Sequence, residues 1–280
     1  MHIYEFCQGT VPLLVSMPHI GTFIPEEIRA TMSPAGRMVS DTDWDLDRLY
    51  DFLWSGEAHV ICAKYSRYVI DLNRDPENRP LYAGVDHPGL VPTHAFDNIP
   101  LYHPDREPSQ EDILVRRERY WRPYHDRVAA VLSNLRERYG VAILFDCHSM
   151  RSVVPRYMRG RIPDLNLGTA DGASCADSLR ASLAEALKLP GRYSCAIDGV
   201  FKGGYITRHY GRPSDGQHAF QLELSQATYM QEGPTPAFDT KLALELKPTL
   251  RAMIQAAIDW ARDNTTDVAT DEGSETTFNE

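Results

Sequence analysis

Two histidines follow apolar runs that are typical of buried strands. His19 comes soon after residues 11–17, and His148 comes soon after residues 141–145. Two histidines and one carboxylate are a common ligand set of catalytic zinc sites, which keep a fourth position for water. Histidine nitrogen and aspartate oxygen both suit Zn²⁺, so such a site needs no cysteine. The spacing therefore favours a zinc centre at the ends of strands.

An acidic segment offers candidates for the carboxylate ligand. Four aspartates fall close together, namely Asp41, Asp43, Asp45 and Asp47. Acidic residues stabilise the N-terminus of a helix, but four of them within seven positions are more than this effect accounts for. One of the four could face inward as a ligand while the others form a solvated surface. The residues alone leave open which one does so.

Three further polar residues lie late in, or just after, apolar stretches. Asn73 and Arg74 follow a predicted strand at 68–72. Glu223 lies in the alternating stretch 218–224. Taken singly, each also fits a structural role, such as a turn, a surface ion pair or a solvent-facing position. Ligands of open α/β sheets bind beyond the carboxyl ends of strands, however, so their joint occurrence indicates a site.

Other catalytic signatures are absent from the sequence. It contains no HExxH, no GxxxxGK[ST], no complete GxGxxG and no GxSxG. The nearest approach to GxSxG is at 172–176, where Ser174 is better interpreted as a helix N-cap. Cys147 precedes His148, but neighbours on a strand point to opposite faces, which disfavours a thiol nucleophile paired with that histidine.

Strand and helix patterns alternate along the rest of the chain, which predicts one α/β domain with helices on both faces of a sheet. The predicted strands are 11–17, 58–64, 68–72, 141–145 and 218–224. The predicted helices are 42–54, 109–139 broken or kinked at Pro123, 174–187 stopped by Pro190, and 237–262 bent or divided at Pro248. Residues 75–108 contain seven prolines and interrupt the alternation. We predict that they form a loop that covers the site.

The composition is that of a globular protein. Hydrophobic residues make up 42% of the 280 positions, and the formal net charge is −10. This acidity disfavours nucleic acids and anionic membranes as partners. No stretch approaches about 18 uncharged apolar residues, no signal peptide is apparent, and the five cysteines form no CxxC pair, so we expect a cytoplasmic protein with reduced thiols. Residues 263–280 hold six acidic residues and no lysine or arginine, which predicts a disordered acidic tail after a domain at 1–262.

Several motifs taken together resemble the N-formylglutamate amidohydrolase family over roughly residues 11–262. They are PHIG at 18–21, SDTDW at 40–44, DRLY at 47–50, SRYVIDLNR at 66–74, DCHSM at 146–150, NLGT at 166–169, DG at 171–172, GYITR at 204–208 and ELSQ at 223–226. The resemblance implies hydrolysis of N-formyl-L-glutamate to L-glutamate and formate, a step of histidine degradation. It also implies a mixed, mostly parallel sheet with helices on both faces, similar to the fold of the zinc carboxypeptidases and acylases.

The resemblance also implies roles for individual residues. His19 and His148 match the two zinc histidines, and Glu223 stands where the wider group keeps the general base that takes a proton from the attacking water. Asn73 and Arg74 resemble the pair that holds a substrate carboxylate in that group.

The third ligand is where the sequence departs from the wider group. The carboxypeptidase motif is His-x-x-Glu, but Thr22 stands three residues after His19. We therefore place the third ligand at Asp43, in the segment that resembles the family. Asp45 and Glu26 remain open as alternatives.

The substrate that the resemblance implies carries two carboxylates besides its amide. Arginine pairs with carboxylates bidentately, so Arg74 is the first candidate, followed by Arg67 and Arg208. Arg67 fits a structural ion pair equally well, and His209 could close over the substrate. Two alternatives to this function remain, a zinc amidohydrolase acting on another N-acyl amino acid or a peptide, and a ligand-binding protein without catalysis.

Overall fold

The computed structural model describes residues 2–80, 88–188, 191–233 and 235–265. The strands are β1 (Tyr4–Cys7), β2 (Leu13–Met17), β3 (His59–Ala63), β4 (Ala142–Met150), β5 (Leu165–Gly168), β6 (Cys195–Ile197), β7 (Gln217–Ser225), β8 (Met230–Gln231) and β9 (Ala237–Phe238). The helices are α1 (Glu26–Arg29), α2 (Leu46–Leu49), α3 (Gln110–Arg116), α4 (Arg122–Tyr139), α5 (Asp177–Lys188), α6 (Tyr205–Tyr210) and α7 (Thr240–Asp263), with a π-helical segment at Arg117–Trp121 between α3 and α4. Pro190 and most of the predicted acidic tail lie outside the described residues.

Seven strands form one sheet in the spatial order β1-β3-β2-β4-β7-β5-β6. The central strands β3, β2, β4 and β7 run parallel to one another. β1 pairs antiparallel with β3, β5 pairs antiparallel with β7, and β6 is parallel to β5. The prediction of a single α/β domain with a mixed, mostly parallel sheet is confirmed.

Helices cover both faces of this sheet because its central strands are apolar on both sides. In β2, Leu13 and Val15 pack into one core cluster together with residues of α5 and α7. Leu14 points the other way and packs with residues of α4. All five residues of β2 are buried, as expected of a parallel strand covered on both faces. Among the described residues, no helix is both long enough and apolar enough to cross a bilayer.

Two predicted elements in the first third of the chain are wrong. Residues 68–72 form a buried turn rather than a strand. The side of β3 that faces away from β2 is already paired with β1. The turn is held by hydrogen bonds from the Val69 N–H to the Ser66 carbonyl and from the Asp71 N–H to the Leu90 carbonyl. The predicted helix at 42–54 is reduced to α2 and a following 3₁₀ segment.

The long predicted helices are present with changed boundaries. Pro123 lies in the first turn of α4, directly after the π-helical segment, so the helical run continues past it with a local change of winding; Gly140 ends α4 with a φ of 72°. Pro248 lies inside α7 without dividing it. Ser174 is not the N-cap of α5, because its hydroxyl donates to the carbonyl of Ala219.

Candidate metal centre

The alternation of side chains along β4 and β7 carries polar groups to one face of the sheet. Leu144 of β4 packs towards α4, and the same parity places Asp146 and His148 on that face. β4 and β7 both continue past the predicted strand ends, so His148 and Glu223 lie within strands, as directly paired residues. Cys147 has the opposite parity and is buried in the other core cluster, as the sequence predicts.

His19, Asp43 and His148 form a buried group whose potential ligand atoms all lie within 4.8 Å of one another. The Asp43 carboxylate oxygen Oδ2 lies 3.1 Å from His148 Nδ1 and 3.7 Å from His19 Nδ1. The Asp43 N–H also donates to the His19 carbonyl, which fixes the aspartate beside the histidine. Two imidazole nitrogens and one carboxylate therefore face a common point.

A second pair of carboxylates fixes which nitrogen each histidine presents. His19 Nε2 lies 2.7 Å from Asp71 Oδ1, and His148 Nε2 lies 2.7 Å from Asp146 Oδ2. An imidazole that donates its Nε2–H to a carboxylate keeps its Nδ1 lone pair for a metal. Within the described part of the chain, buried His19 Nδ1 has no hydrogen-bond partner. This orphaned lone pair, aimed at a carboxylate and a second imidazole, fits a cation with nitrogen and oxygen ligands.

Arg67 compensates the negative charge on the His19 side. Its Nη2 lies 2.6 Å from Asp71 Oδ2, and its Nη1 lies 3.8 Å from Asp43 Oδ1. Burial by itself would raise the pKa of Asp71, but Arg67 and His19 together hold that pKa well below its usual range. Asp71 was not predicted as a site residue, and its position four residues after Arg67 was the available signal.

On the His148 side, two carboxylates dominate. Burial would lower the pKa of His148, but Asp146 and Asp43 raise it well above its usual range. Asp146 also accepts a hydrogen bond from the Ser16 hydroxyl at 3.1 Å. For His19 the balance is opposite, because burial and the neighbouring Arg67 lower its pKa.

The alternative third ligands lie elsewhere. Asp45 is half-buried with a φ of 54°, and Glu26 is exposed at the start of α1 and lines a different cavity. Asp41 is buried, but its Oδ2 accepts a hydrogen bond from the Phe96 N–H, so it holds part of the predicted covering loop. Of the described acidic residues, Asp43 is the one that the structure brings to both histidines.

Glu223 is buried beside His148. Burial raises its pKa to about 8, with a further increase from Asp43, while His148 and Arg67 act in the opposite direction. A bound cation would favour the charged carboxylate and lower this pKa. A carboxyl group whose pKa lies near neutrality can both accept and release a proton at neutral pH.

The group opens onto a cavity of about 300 Å³. Its lining residues are His19, Asp43, Arg67, Asn73, Arg74, Pro80, Pro88, Phe96, His148, Met150, Arg156, Tyr157, Val200, Phe201, Lys202, Gly203, Gly204, Gln221 and Glu223. Pro80, Pro88 and Phe96 belong to the predicted covering loop, of which residues 81–87 lie outside the described residues. Arg156 and Lys202 were missed by the sequence analysis, since no spacing pattern connects their segments to the site.

Of the five predicted substrate-binding residues, three line the cavity and two do not. Asn73, Arg74 and Arg67 line the cavity, Arg67 within its ion pair. Arg208 does not line it, and its Nε donates to the Gly203 carbonyl. His209 lies in a separate cavity and stacks on Tyr205 at 4.8 Å between ring centroids.

Comparison with known proteins gives a consistent result. A family model described as N-formylglutamate amidohydrolase matches residues 11–230. The chain is 42% identical over 261 residues to an N-formylglutamate deformylase of Pseudomonas aeruginosa, an alignment that covers 93% of this chain and 98% of that protein. It is 43% identical over 262 residues to an N-formylglutamate deformylase of Pseudomonas putida, covering 92% and 96% of the two chains.

The fold resembles a crystal structure of an N-formylglutamate amidohydrolase from Ralstonia eutropha. The TM-score is 0.77 at 24% sequence identity, and the match covers 94% of this chain and 99% of that chain. This likeness supports the described sheet topology.

Replacing Asp71 by Asn tests the buried ion pair. We expect Asp71→Asn to lower the free energy of unfolding at pH 7 by about 3 kcal/mol or more, because the buried Arg67 loses its nearest carboxylate partner while Asp43 lies farther away, at 3.8 Å. The pKa of Asp71 is depressed in the folded protein, so its contribution is present above the unfolded pKa of about 3.9 and fades as the pH falls below it. Urea unfolding of chelator-treated protein between pH 7 and pH 3 measures both effects.

The matched control for this experiment is Asp259→Asn, which removes the charge of an exposed partner of Arg262. We expect a change within about 1 kcal/mol there. Equal effects of the two substitutions at pH 7 would contradict the compensating role of Arg67.

Proposed function

The chain belongs to the N-formylglutamate amidohydrolase family, and we propose that it hydrolyses the formamide bond of N-formyl-L-glutamate to give L-glutamate and formate. The observation that carries this proposal is the buried His19–Asp43–His148 group with Glu223 beside it, at the base of a small cavity. The two Pseudomonas relatives, each aligned over more than nine-tenths of both chains, are named for that reaction.

We propose that His19, Asp43 and His148 hold Zn²⁺, with each histidine binding through Nδ1. The support is the orphaned Nδ1 of His19 and the Nε2 contacts of both histidines to carboxylates. Such a zinc ion acts as a Lewis acid, which polarises a carbonyl group and lowers the pKa of a water molecule.

Glu223 is the proposed general base and acid. Its carboxylate takes a proton from the attacking water as the water oxygen bonds to the formyl carbon. The same carboxyl group then donates this proton to the departing amine nitrogen as the C–N bond breaks, the usual double role of such a group.

Arg74 is the leading residue for binding the substrate carboxylates. It lines the cavity, and its Nη1 donates to the Asn73 carbonyl at 3.0 Å, which orients the side chain. Arg156 adds positive charge to the same lining, whereas Lys202 is paired with Asp171 at 2.8 Å. The two arginines make the cavity locally favourable for an anion, although the net charge of the chain is −10. A volume of about 300 Å³ suits a small N-acyl amino acid.

Metal analysis combined with formate release tests the reaction and its metal dependence. Zinc-loaded protein is expected to release formate from N-formyl-L-glutamate, to lose at least about 100-fold in rate after chelation, and to recover when Zn²⁺ is returned. The control is the same chelator saturated with Zn²⁺ beforehand. Full turnover by protein shown to be metal-free would contradict the zinc proposal, and faster release of acetate from N-acetylglutamate would favour another acyl substrate.

Substitution of Glu223 by Gln separates proton transfer from binding. We expect Glu223→Gln to lower kcat by about 10²–10⁴-fold while zinc content is unchanged. The matched control is Glu185→Gln at an exposed position of α5, which should leave kcat within experimental error. Near-normal turnover of the zinc-loaded Glu223→Gln variant would exclude this residue as the general base.

A further inference from the structure

Asn73 contacts both of the carboxylates that orient the histidines. Its backbone N–H donates to Asp71 Oδ1 at 2.8 Å. Its side-chain nitrogen Nδ2 donates to Asp146 Oδ2 at 3.1 Å and lies 2.9 Å from His148 Nε2. One residue therefore joins the two carboxylate–histidine pairs, which come from opposite sides of the site.

Both ends of the Asn73 amide are engaged inside the protein. Its Oδ1 accepts a hydrogen bond from the Ile206 N–H in α6 at 2.8 Å. A backbone N–H is a donor, so the Asn73 atom that it contacts has to be the acceptor Oδ1 and not the NH₂ nitrogen. This assignment of the Asn73 amide turns its NH₂ group towards Asp146. The side chain is buried, and its Oδ1 and one of its two N–H groups are engaged by Ile206 and Asp146 inside the protein.

The backbone around Asn73 is held from α4 and the π-helical segment before it. His125 Nε2 lies 2.8 Å from the Leu72 carbonyl, and Trp121 Nε1 donates to the Arg74 carbonyl at 3.2 Å. Burial lowers the pKa of His125 to about 3, so its ring is neutral and donates one ring N–H to that carbonyl. The carbonyls on either side of Asn73 are thus fixed independently of the metal centre.

Gly204 closes the remaining side of the amide. A Cβ atom at this position would lie 2.4 Å from Asn73 Nδ2 and 2.5 Å from Oδ1. Its φ of −81° is ordinary for any residue, so an alanine there would act through this contact and not through backbone strain. The absence of a side chain at Gly204 is what leaves room for the Asn73 amide.

We propose that Asn73 is a positioning residue for the metal centre, a role that goes beyond the substrate contact implied by the family resemblance. It holds the Asp71 and Asp146 carboxylates in the orientation that turns His19 Nδ1 and His148 Nδ1 to one point. Arg74, the next residue, faces the cavity and binds the substrate. This inference rests on the proposed metal centre.

The experiment measures Zn²⁺ affinity alone, by competition with a chromophoric chelator, and then kcat and KM of zinc-saturated protein. Asn73→Ala removes the amide, and Gly204→Ala displaces it while leaving Asn73 in place. Both variants should bind Zn²⁺ at least about 10-fold more weakly and lose kcat by about 10–100-fold. Arg74→Gln should instead raise KM and leave Zn²⁺ affinity unchanged.

Gly233→Ala is the matched control, since a Cβ there meets nothing within 4 Å. It should leave Zn²⁺ affinity and kcat at the wild-type values. Unchanged Zn²⁺ affinity of Asn73→Ala together with a raised KM would overturn the inference and return Asn73 to substrate binding. Wild-type protein that binds no Zn²⁺ would overturn the proposed metal centre and this inference together, so the two failures are distinguishable.

Discussion

In the proposed metal centre, two buried imidazoles have to present the same ring nitrogen to one point, and the rest of the site is arranged around that requirement. A neutral imidazole has one donor and one acceptor nitrogen, and its tautomer follows from what the donor meets. Asp71 and Asp146 accept hydrogen bonds from the Nε2–H groups of His19 and His148. With a cation bound between them and Asp43, both Nδ1 atoms would act as ligands.

Burying these carboxylates is unfavourable unless each is paired or hydrogen-bonded. Asp71 is paired with Arg67, and Asp146 accepts hydrogen bonds from Ser16 and Asn73. These pairings account for the many polar groups buried at the carboxyl ends of the central strands. The ends of β2, β4 and β7 lie side by side because these strands run in the same direction.

The sequence allowed prediction of the residues whose surroundings are local. His148 follows an apolar run, Glu223 lies in an alternating stretch, and Asp43 belongs to a dense acidic segment within a family motif. In the structure, His19, Asp43 and His148 lie together as one buried group. Their chemical roles stay predictions until they are tested.

What could not be predicted depends on contacts between distant segments. Residues 68–72 look like a strand because their apolar side chains are buried, but the neighbouring sheet edge is occupied and the segment turns instead. The role of Asn73 depends on Ile206 and Gly204, more than 130 positions away. Arg156 and Lys202 reach the cavity through loops whose paths no periodicity specifies.

The most direct test of this account is the position of the metal in a crystal of zinc-loaded protein, located by anomalous scattering at the zinc edge. The account predicts one peak about 2.0–2.2 Å from His19 Nδ1, His148 Nδ1 and an Asp43 carboxylate oxygen. Asp71 and Asp146 should remain on the Nε2 atoms. A peak bound to either Nε2 atom, or one that lacks Asp43, would contradict the account.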